Sequence, residues 1–320
     1  MKIIRLTLTA VICMAAVLVA DSAPSKKVAS KVGRGAASVV TKTQGRYRRS
    51  PYVGAMSLDA DTGRVLFADN IDTTAYPASV TKLMTAFLVL DDVKSGKLTL
   101  QDKVVASSVK NKRDRHLRQP SQIGLIAGQS MTVDELLAVL LVKSANDAAI
   151  FLAEKCSGTM DAFVKRMNEK AISLGMKSTK YFNPNGLNPF PGLKSDGYNV
   201  STCRDLAKMS MALLRTHPEI LKYTSIKVYK ATLPDGKVIG LKNHNNVMRL
   251  DKYKIINPDG TEAIDGLKTG YLTAAGSSVV LTGKRNGKRA IVIVLGSSSA
   301  AERDTIARAK LDDALSALAM

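Results

Sequence analysis

Residues 77–87 read Pro-Ala-Ser-Val-Thr-Lys-Leu-Met-Thr-Ala-Phe, which places Ser79 three positions before Lys82. We expect a helix to start at Ser79 and to run to about Lys94, where Ser95-Gly96 would end it. Residues three apart share one face of a helix, so the Ser79 hydroxyl and the Lys82 amine should meet. Apolar neighbours should desolvate the amine and lower its pKa, so that it can accept the serine proton. The segment therefore predicts a serine nucleophile with a lysine base.

A second polar segment, Ser144-Ala145-Asn146, falls in a break between predicted helices at 132–141 and 147–155. The first of these helices has a capping-box sequence, Thr132-x-x-Glu135. Short polar side chains in such a break can point into a cleft. Taken by itself, the break favours a plain turn in which Asn146 is the N-cap of the second helix.

A third segment, Lys268-Thr269-Gly270, follows an apolar stretch and precedes Tyr271, which is typical of a strand that enters a cleft. The lysine would place a cation beside the edge of this strand. Gly270 has no side chain, so it would let a substrate backbone approach the edge closely.

Strand signals lie near both ends of the chain, and helix signals lie between them. Residues 53–58 and 64–68 should form one hairpin, and residues 277–285 and 289–295 should form another around Asn286-Gly287. Further helices are predicted at 161–174, 201–216 (with Ser201 as the cap) and 302–318, the last with core-facing Ile306, Leu311, Leu315 and Leu318. The fold class is therefore mixed α/β, with an antiparallel sheet covered by helices and an all-helical subdomain.

The N-terminal residues predict export. Residues 1–23 combine a basic start with a short apolar run, which is typical of a cleaved signal peptide, and retention as an anchor is the alternative. Residues 24–50 carry eight basic and no acidic residues, so we expect a disordered arm. The arm is either a solvated linker or a contact to an anionic envelope surface. Residues 51–320 would form the catalytic domain.

Composition limits the function further. Although the net charge is +20, 45% of the residues are hydrophobic, so the body can bury a core. Only 5% of the residues are aromatic, too few to indicate nucleic-acid binding by base stacking. Cys156 and Cys203 either pair as a disulfide or remain two buried thiols. No metal site or cofactor is expected, since no Cys-x-x-Cys occurs and the chain has three histidines. The basic cluster at 110–118 should be an exposed loop.

The three segments, their order and their flanks resemble the serine D-Ala-D-Ala carboxypeptidases, the low-molecular-mass penicillin-binding proteins. The similarity includes Asn183-Pro184-Asn185-Gly186-Leu187 and spans about residues 52–315. The resemblance implies a penicillin-binding transpeptidase/β-lactamase-like fold. It also implies an extracytoplasmic enzyme that removes the terminal D-Ala from peptidoglycan stem peptides and that β-lactams inhibit covalently.

The resemblance also assigns roles by position. Ser79 is the acylated nucleophile, Lys82 its general base, Ser144 a proton relay to the leaving amine, and Asn146 the residue that orients Lys82. Lys268 supplies positive potential, Thr269 binds the terminal carboxylate, and Gly270 lies beside them at the strand edge. The backbone N–H groups of Ser79 and Tyr271 form the oxyanion hole. Many members have a second, all-β domain and an amphipathic anchor helix, which we do not expect here.

Other functions remain as alternatives. A DD-endopeptidase that cuts peptidoglycan cross-links would use the same site. A class A β-lactamase is less favoured, because no glutamate occurs between Glu169 and Glu219, the region of the deacylating residue. A non-catalytic wall- or nucleic-acid-binding protein would not need both Ser79 and Lys82. A Ser-His-Asp hydrolase lacks its usual Gly-x-Ser-x-Gly motif, and His244 reads as a polar loop residue with a possible supporting role.

Overall fold

The computed structural model describes residues 50–107, 121–187 and 197–319. Its main element is a five-stranded antiparallel sheet built from both ends of the chain. The strands of this sheet are β1 (Gly54–Asp59), β2 (Val65–Asp69), β7 (Ile264–Leu272), β8 (Gly276–Arg285) and β9 (Lys288–Ser297). They are arranged in the order β2-β1-β9-β8-β7. Both predicted hairpins are confirmed, and the predicted strand that carries Lys268 is β7.

Helices and two small hairpins fill the middle of the chain. The helices are α1 (Lys82–Lys94), α2 (Val133–Val142), α3 (Asn146–Ser157), α4 (Met160–Ser173), α5 (Cys203–Thr216), α6 (Leu221–Thr224), α7 (Asn246–Arg249) and α8 (Ala300–Ala319). The small hairpins pair β3 (Lys103–Val105) with β4 (Ser130–Thr132), and β5 (Val228–Thr232) with β6 (Val238–Lys242).

The sheet separates two hydrophobic cores, because its central strand is buried on both faces. Along β9, Ile291 and Ile293 belong to the core shared with α1 to α5, whereas Val292 and Val294 pack with α8. This is the period-two alternation of a strand, with apolar residues on both sides. The closing helix contributes Leu311 and Leu315 to its core as predicted, while Ile306 and Leu318 are partly buried against it.

Local sequence signals explain most helix boundaries. The Thr132 and Glu135 side chains form the predicted capping box at the start of α2. Gly175 follows α4 with a φ of +67°. The prediction of Ser201 as the cap of α5 is wrong by one residue: the Thr202 hydroxyl accepts from the Asp205 N–H, whereas the Ser201 hydroxyl bonds with that of Thr179.

The segment around Ser79 forms a helix over the predicted range, but its first turn is a 3₁₀ turn (Ala78–Thr81) that precedes α1. Cys156 and Cys203 are free thiols, which answers the open question of a disulfide. Burial raises the pKa of both thiols to about 12.

Some predictions fall outside the described residues: the signal peptide (1–23), nearly all of the basic arm (24–49) and the basic cluster at 110–118. Within the described ranges, none of the helices combines the length and the apolar character that a membrane crossing requires.

Candidate active site

The Lys82 side chain is fully buried at the first residue of α1. Its Nζ atom lies 3.0 Å from Ser79 Oγ, 2.7 Å from Asn146 Oδ1 and 2.6 Å from the backbone oxygen of Asn185. These contacts bring the first two predicted segments together, and they add a third segment to which the sequence assigned no role.

Burial holds the pKa of Lys82 well below its usual value, and the positive charge of Lys268 lowers it further. The negative charge of Asp147 acts in the opposite direction. A neutral amine has two N–H donors and one lone pair. The two carbonyl-type acceptors, Asn146 Oδ1 and Asn185 O, can take both donors, which leaves the lone pair for the hydroxyl proton of Ser79. The geometry therefore suits an amine that accepts a proton from serine.

Two glycines pack closely against the turn that carries Ser79, at positions where a side chain would not fit. Gly186 has a φ of +84°, and a Cβ there would lie 1.9 Å from the backbone oxygen of Ala78. A Cβ on Gly270 would lie 2.4 Å from the backbone oxygen of Pro77 and 3.2 Å from the backbone nitrogen of Ser79. The missing side chain at Gly270 thus permits a contact inside the protein, between β7 and the 3₁₀ turn. The predicted approach of a substrate backbone at this position stays a prediction.

Ser144 lies between α2 and α3, as predicted, whereas Asn146 is the first residue of α3. Interpreting Asn146 as an N-cap is wrong, because Ala145 takes that position and the Asn146 side chain turns to Lys82 instead. Ser144 has a φ of +62°, and its buried Oγ has no hydrogen-bond partner among the described residues. A buried hydroxyl without a partner is costly, so it marks a position where a ligand atom would be stabilised.

The third predicted segment lies on β7, where Lys268 is 1% exposed. Its ammonium group donates to the backbone oxygen of Thr269 at 3.0 Å. Burial lowers the pKa of Lys268 to about 7, and the positive charge of Arg303 contributes. The Tyr271 side chain, by contrast, is 61% exposed.

A cleft of about 700 Å³ connects the three segments. Its wall includes six of the eight predicted site residues: Ser79, Ser144, Asn146, Thr269, Gly270 and Tyr271. The two remaining residues, Lys82 and Lys268, are buried behind this wall. No group of three or more His, Cys, Asp and Glu side chains in the described part of the chain is arranged to hold a metal ion.

Several supporting residues were not found from the sequence. The Asn199 side chain donates to Thr81 Oγ1 and to the backbone oxygen of Asn183, and its oxygen accepts from the Asn183 N–H. The Thr85 hydroxyl donates to the backbone oxygen of Pro184 at 2.6 Å. These bonds hold the segment around Asn185 against α1. Only the resemblance of residues 183–187 hinted at them, because contacts to backbone carbonyls leave no pattern of their own.

His244 lies in the wall of the cleft, and its backbone N–H donates to the oxygen of Val142 at 3.0 Å. Burial lowers the pKa of its imidazole to about 4, and the nearby basic residues Lys268, Lys143, Lys82 and Arg249 contribute. The ring is therefore neutral at neutral pH. The loop position was predicted, whereas the surrounding cations were not.

An antiparallel sheet lies beside a helical subdomain, with a serine hydroxyl next to a buried lysine amine at the boundary. This arrangement defines the penicillin-binding transpeptidase/β-lactamase-like class, and the predicted fold is confirmed. Within that class, the chain belongs to the D-alanyl-D-alanine carboxypeptidase family, whose sequence model matches residues 52–299.

Individual relatives agree with this assignment. The D-alanyl-D-alanine carboxypeptidase DacF of Bacillus subtilis is 34% identical over 82% of this chain, which spans 61% of that relative's length. A D-alanyl-D-alanine endopeptidase of Pseudomonas aeruginosa is 31% identical over 75% of this chain and 70% of its own. The crystal structure of penicillin-binding protein D2 from Listeria monocytogenes, in a cefotaxime-bound form, superposes with a TM-score of 0.66 at 31% identity over 83% of this chain and 99% of its own.

Replacing Gly270 by Ala tests the contact between β7 and the Ser79 turn. The added Cβ would lie 2.4 Å from a backbone oxygen, so the strand or the turn must shift. We expect the free energy of unfolding in urea to fall by about 1–3 kcal/mol. Gly240→Ala on β6 is the control, because the nearest atom to its Cβ would be 3.9 Å away. Equal stability of the two variants would contradict the contact.

Proposed function

We propose that the chain is a serine-type D-alanyl-D-alanine carboxypeptidase that removes the terminal D-Ala from peptidoglycan stem peptides. The observation that carries this proposal is the buried Lys82 amine, 3.0 Å from Ser79 Oγ and, in the part of the chain that the structure describes, without a carboxylate among its hydrogen-bond partners. The family of the chain supports the choice of substrate.

The reaction proceeds in two halves through Ser79. Lys82 accepts the hydroxyl proton while Ser79 Oγ attacks the carbonyl carbon between the two D-Ala residues. The backbone N–H groups of Ser79 and Tyr271 stabilise the oxyanion. The leaving amine receives a proton through the Ser144 hydroxyl, and free D-Ala departs. Water then attacks the ester on Ser79, with Lys82 again taking the proton, and the shortened peptide is released.

Binding depends on the other end of the cleft. The substrate ends in a carboxylate, for which Thr269 offers a hydroxyl and Lys268 a positive charge. Asn146 keeps the Lys82 amine in place and faces the cleft, where its amide can bond the peptide group of the substrate. No cofactor or metal ion enters these steps.

The endopeptidase alternative has specific support, because the relative from Pseudomonas aeruginosa bears that name. Both activities would use the same nucleophile and base, and they differ only in the leaving group. The β-lactamase alternative is less favoured, since no Asp or Glu is among the described residues that line the cleft. Without a carboxylate to activate water, the ester that a β-lactam forms with Ser79 should be hydrolysed slowly.

We also propose that the protein is exported to the periplasm or another extracytoplasmic space. Residues 1–23 would act as a signal peptide, residues 24–50 as a basic arm, and residues 51–320 as the serine DD-peptidase domain. The excess of basic residues in the arm supports contact with an anionic envelope surface. β-Lactams would act as covalent inhibitors, as the cefotaxime-bound form of the Listeria protein suggests.

Exposure to benzylpenicillin tests the nucleophile and the base. Intact-mass analysis should find one covalent adduct on the wild type and none on Ser79→Ala. Lys82→Arg should also form none, because a guanidinium stays protonated and cannot act as a base. Lys94→Arg, at the exposed end of the same helix, is the control and should react like the wild type. An adduct on Lys82→Arg would remove Lys82 from the proposed role.

The Lys268 ammonium predicts a pH dependence of binding. With a pKa of about 7, it is charged below pH 7 and loses its charge as the pH rises. A bound carboxylate favours the charged form, so affinity should be full below pH 7 and fall above it, by at most about tenfold per pH unit. Calorimetry with a D-Ala-D-Ala peptide and the Ser79→Ala variant measures this without turnover. Adding Lys268→Arg should flatten the decline, and an unchanged decline would contradict the assignment.

Muropeptide digestion distinguishes the two peptidase activities. Chromatography should show pentapeptide products that have lost one alanine, with little conversion of cross-linked dimers to monomers. Ser79→Ala provides the blank. Dimers that disappear faster than pentapeptides would favour the endopeptidase.

A further inference from the structure

The charged side chains that line the cleft all have the same sign. Among the described residues they are Lys143, Lys242, Arg249 and Arg303. The neutral His244 lies in the same wall. An enzyme that binds only one terminal carboxylate would need one cation at its end of the cleft. The additional positive charges therefore require another explanation.

Three of these four cations lack a carboxylate. Arg303 is paired with Asp304 at 2.6 Å, whereas Lys143, Lys242 and Arg249 have no ion-pair partner within the described ranges. We call these three residues the cationic rim. Among the described residues, Arg249 bonds only to amide oxygens, those of Asn243 and Asn246. Outside the cleft, Lys227 is paired with Glu262 at 2.6 Å.

The rim lies at one place on the cleft wall. The backbone bond from His244 to Val142 holds the loop after β6 against the end of α2, next to Lys143. The low pKa of His244 reports the same proximity, since Lys143 and Arg249 are among the charges that lower it. Lys242 precedes His244 by two residues at the end of β6 and is exposed. Like charges held together without a counter-ion repel one another, and a bound anion relieves that repulsion.

The rim is separate from the proposed site for the terminal carboxylate. Lys268 is 1% exposed and donates to the backbone of β7, whereas all three rim residues are accessible from the cleft. A single carboxylate at Thr269 would thus leave the rim without a partner. An anionic group elsewhere on the same peptide would satisfy it.

We propose that the cationic rim binds a second free carboxylate of the substrate, so that the enzyme prefers acidic stem peptides over amidated ones. This proposal rests on the proposed peptidase function. The ligand class is a peptide that ends in D-Ala-D-Ala and carries an ionised side-chain carboxyl group on the residue before them. Amidation of that group removes its charge and leaves the rim without a partner.

Two synthetic pentapeptides test the proposal. They end in D-Ala-D-Ala and differ only in whether the side-chain carboxyl group of the third residue is free or amidated. For the wild type, kcat/KM for D-Ala release should be about tenfold higher for the acid, since contacts to partly buried charges typically contribute differences of this order. The preference should shrink as salt is added, because exposed charges are screened.

A double variant, Lys143→Gln with Lys242→Gln, should reduce the preference to near parity, mainly through the acidic peptide. Lys230→Gln is the matched control, because it removes one exposed lysine from β5 of the same hairpin, outside the cleft. Calorimetry with Ser79→Ala repeats the comparison without turnover, and equal melting temperatures confirm that the double variant is folded. If the double variant does not fold, the single variant Lys242→Glu takes its place, and it should reverse the preference so that the amidated peptide is the better substrate.

The outcomes separate this proposal from the proposed function. A wild type that forms no benzylpenicillin adduct and releases no D-Ala overturns both. A wild type that forms the adduct and releases D-Ala, but has the same kcat/KM for the two peptides, overturns only the role of the rim. The same holds if the preference survives in the double variant.

Discussion

The proposed reaction depends on keeping one amine, that of Lys82, uncharged inside the protein. A buried ammonium without a carboxylate partner is expensive, so burial itself moves Lys82 towards the neutral form. The opposing charge nearby is Asp147, whose carboxylate accepts backbone bonds from Ile123, Gly124 and Ala148. Those bonds hold the carboxylate away from the amine and leave it to fix the loop beside α3. The helical subdomain therefore provides a dry environment for Lys82 without neutralising it through an ion pair.

The same requirement explains the position of the sheet. Ser79 must contact the cleft while Lys82 stays behind it, and a 3₁₀ turn before α1 achieves both. The turn lies between Gly186 and Gly270, each of which has no room for a side chain. β7 contacts the turn at Gly270, and Tyr271, the second residue proposed to hold the oxyanion, follows Gly270 directly in this strand. Packing between the sheet and the turn thus sets the place where the oxyanion would be held.

Much of this arrangement was predictable, because it rests on local patterns. Spacing placed Lys82 next to Ser79, turn residues located both hairpins, and a capping box located the start of α2. The errors arise where tertiary contacts override local preference. Asn146 is a residue type that often caps helices, yet its side-chain amide oxygen accepts a hydrogen bond from Lys82. Thr202, and not the predicted Ser201, is the N-cap of α5. The backbone oxygen of Asn185 was missed for another reason: every residue has one, so no side-chain pattern reveals which oxygen meets a buried amine.

The positive charges of the cleft cannot be considered one at a time. Lys268 lowers the pKa of Lys82, Arg303 lowers that of Lys268, and basic residues around the cleft lower that of His244. Removing the charge of Lys268 therefore weakens the attraction for a carboxylate and also raises the pKa of the proposed base. A loss of activity in such a variant would combine both effects, as expected for residues that share a network. A substitution that keeps the charge, such as Lys268→Arg, separates them, because the field at Lys82 persists while the titration near pH 7 disappears.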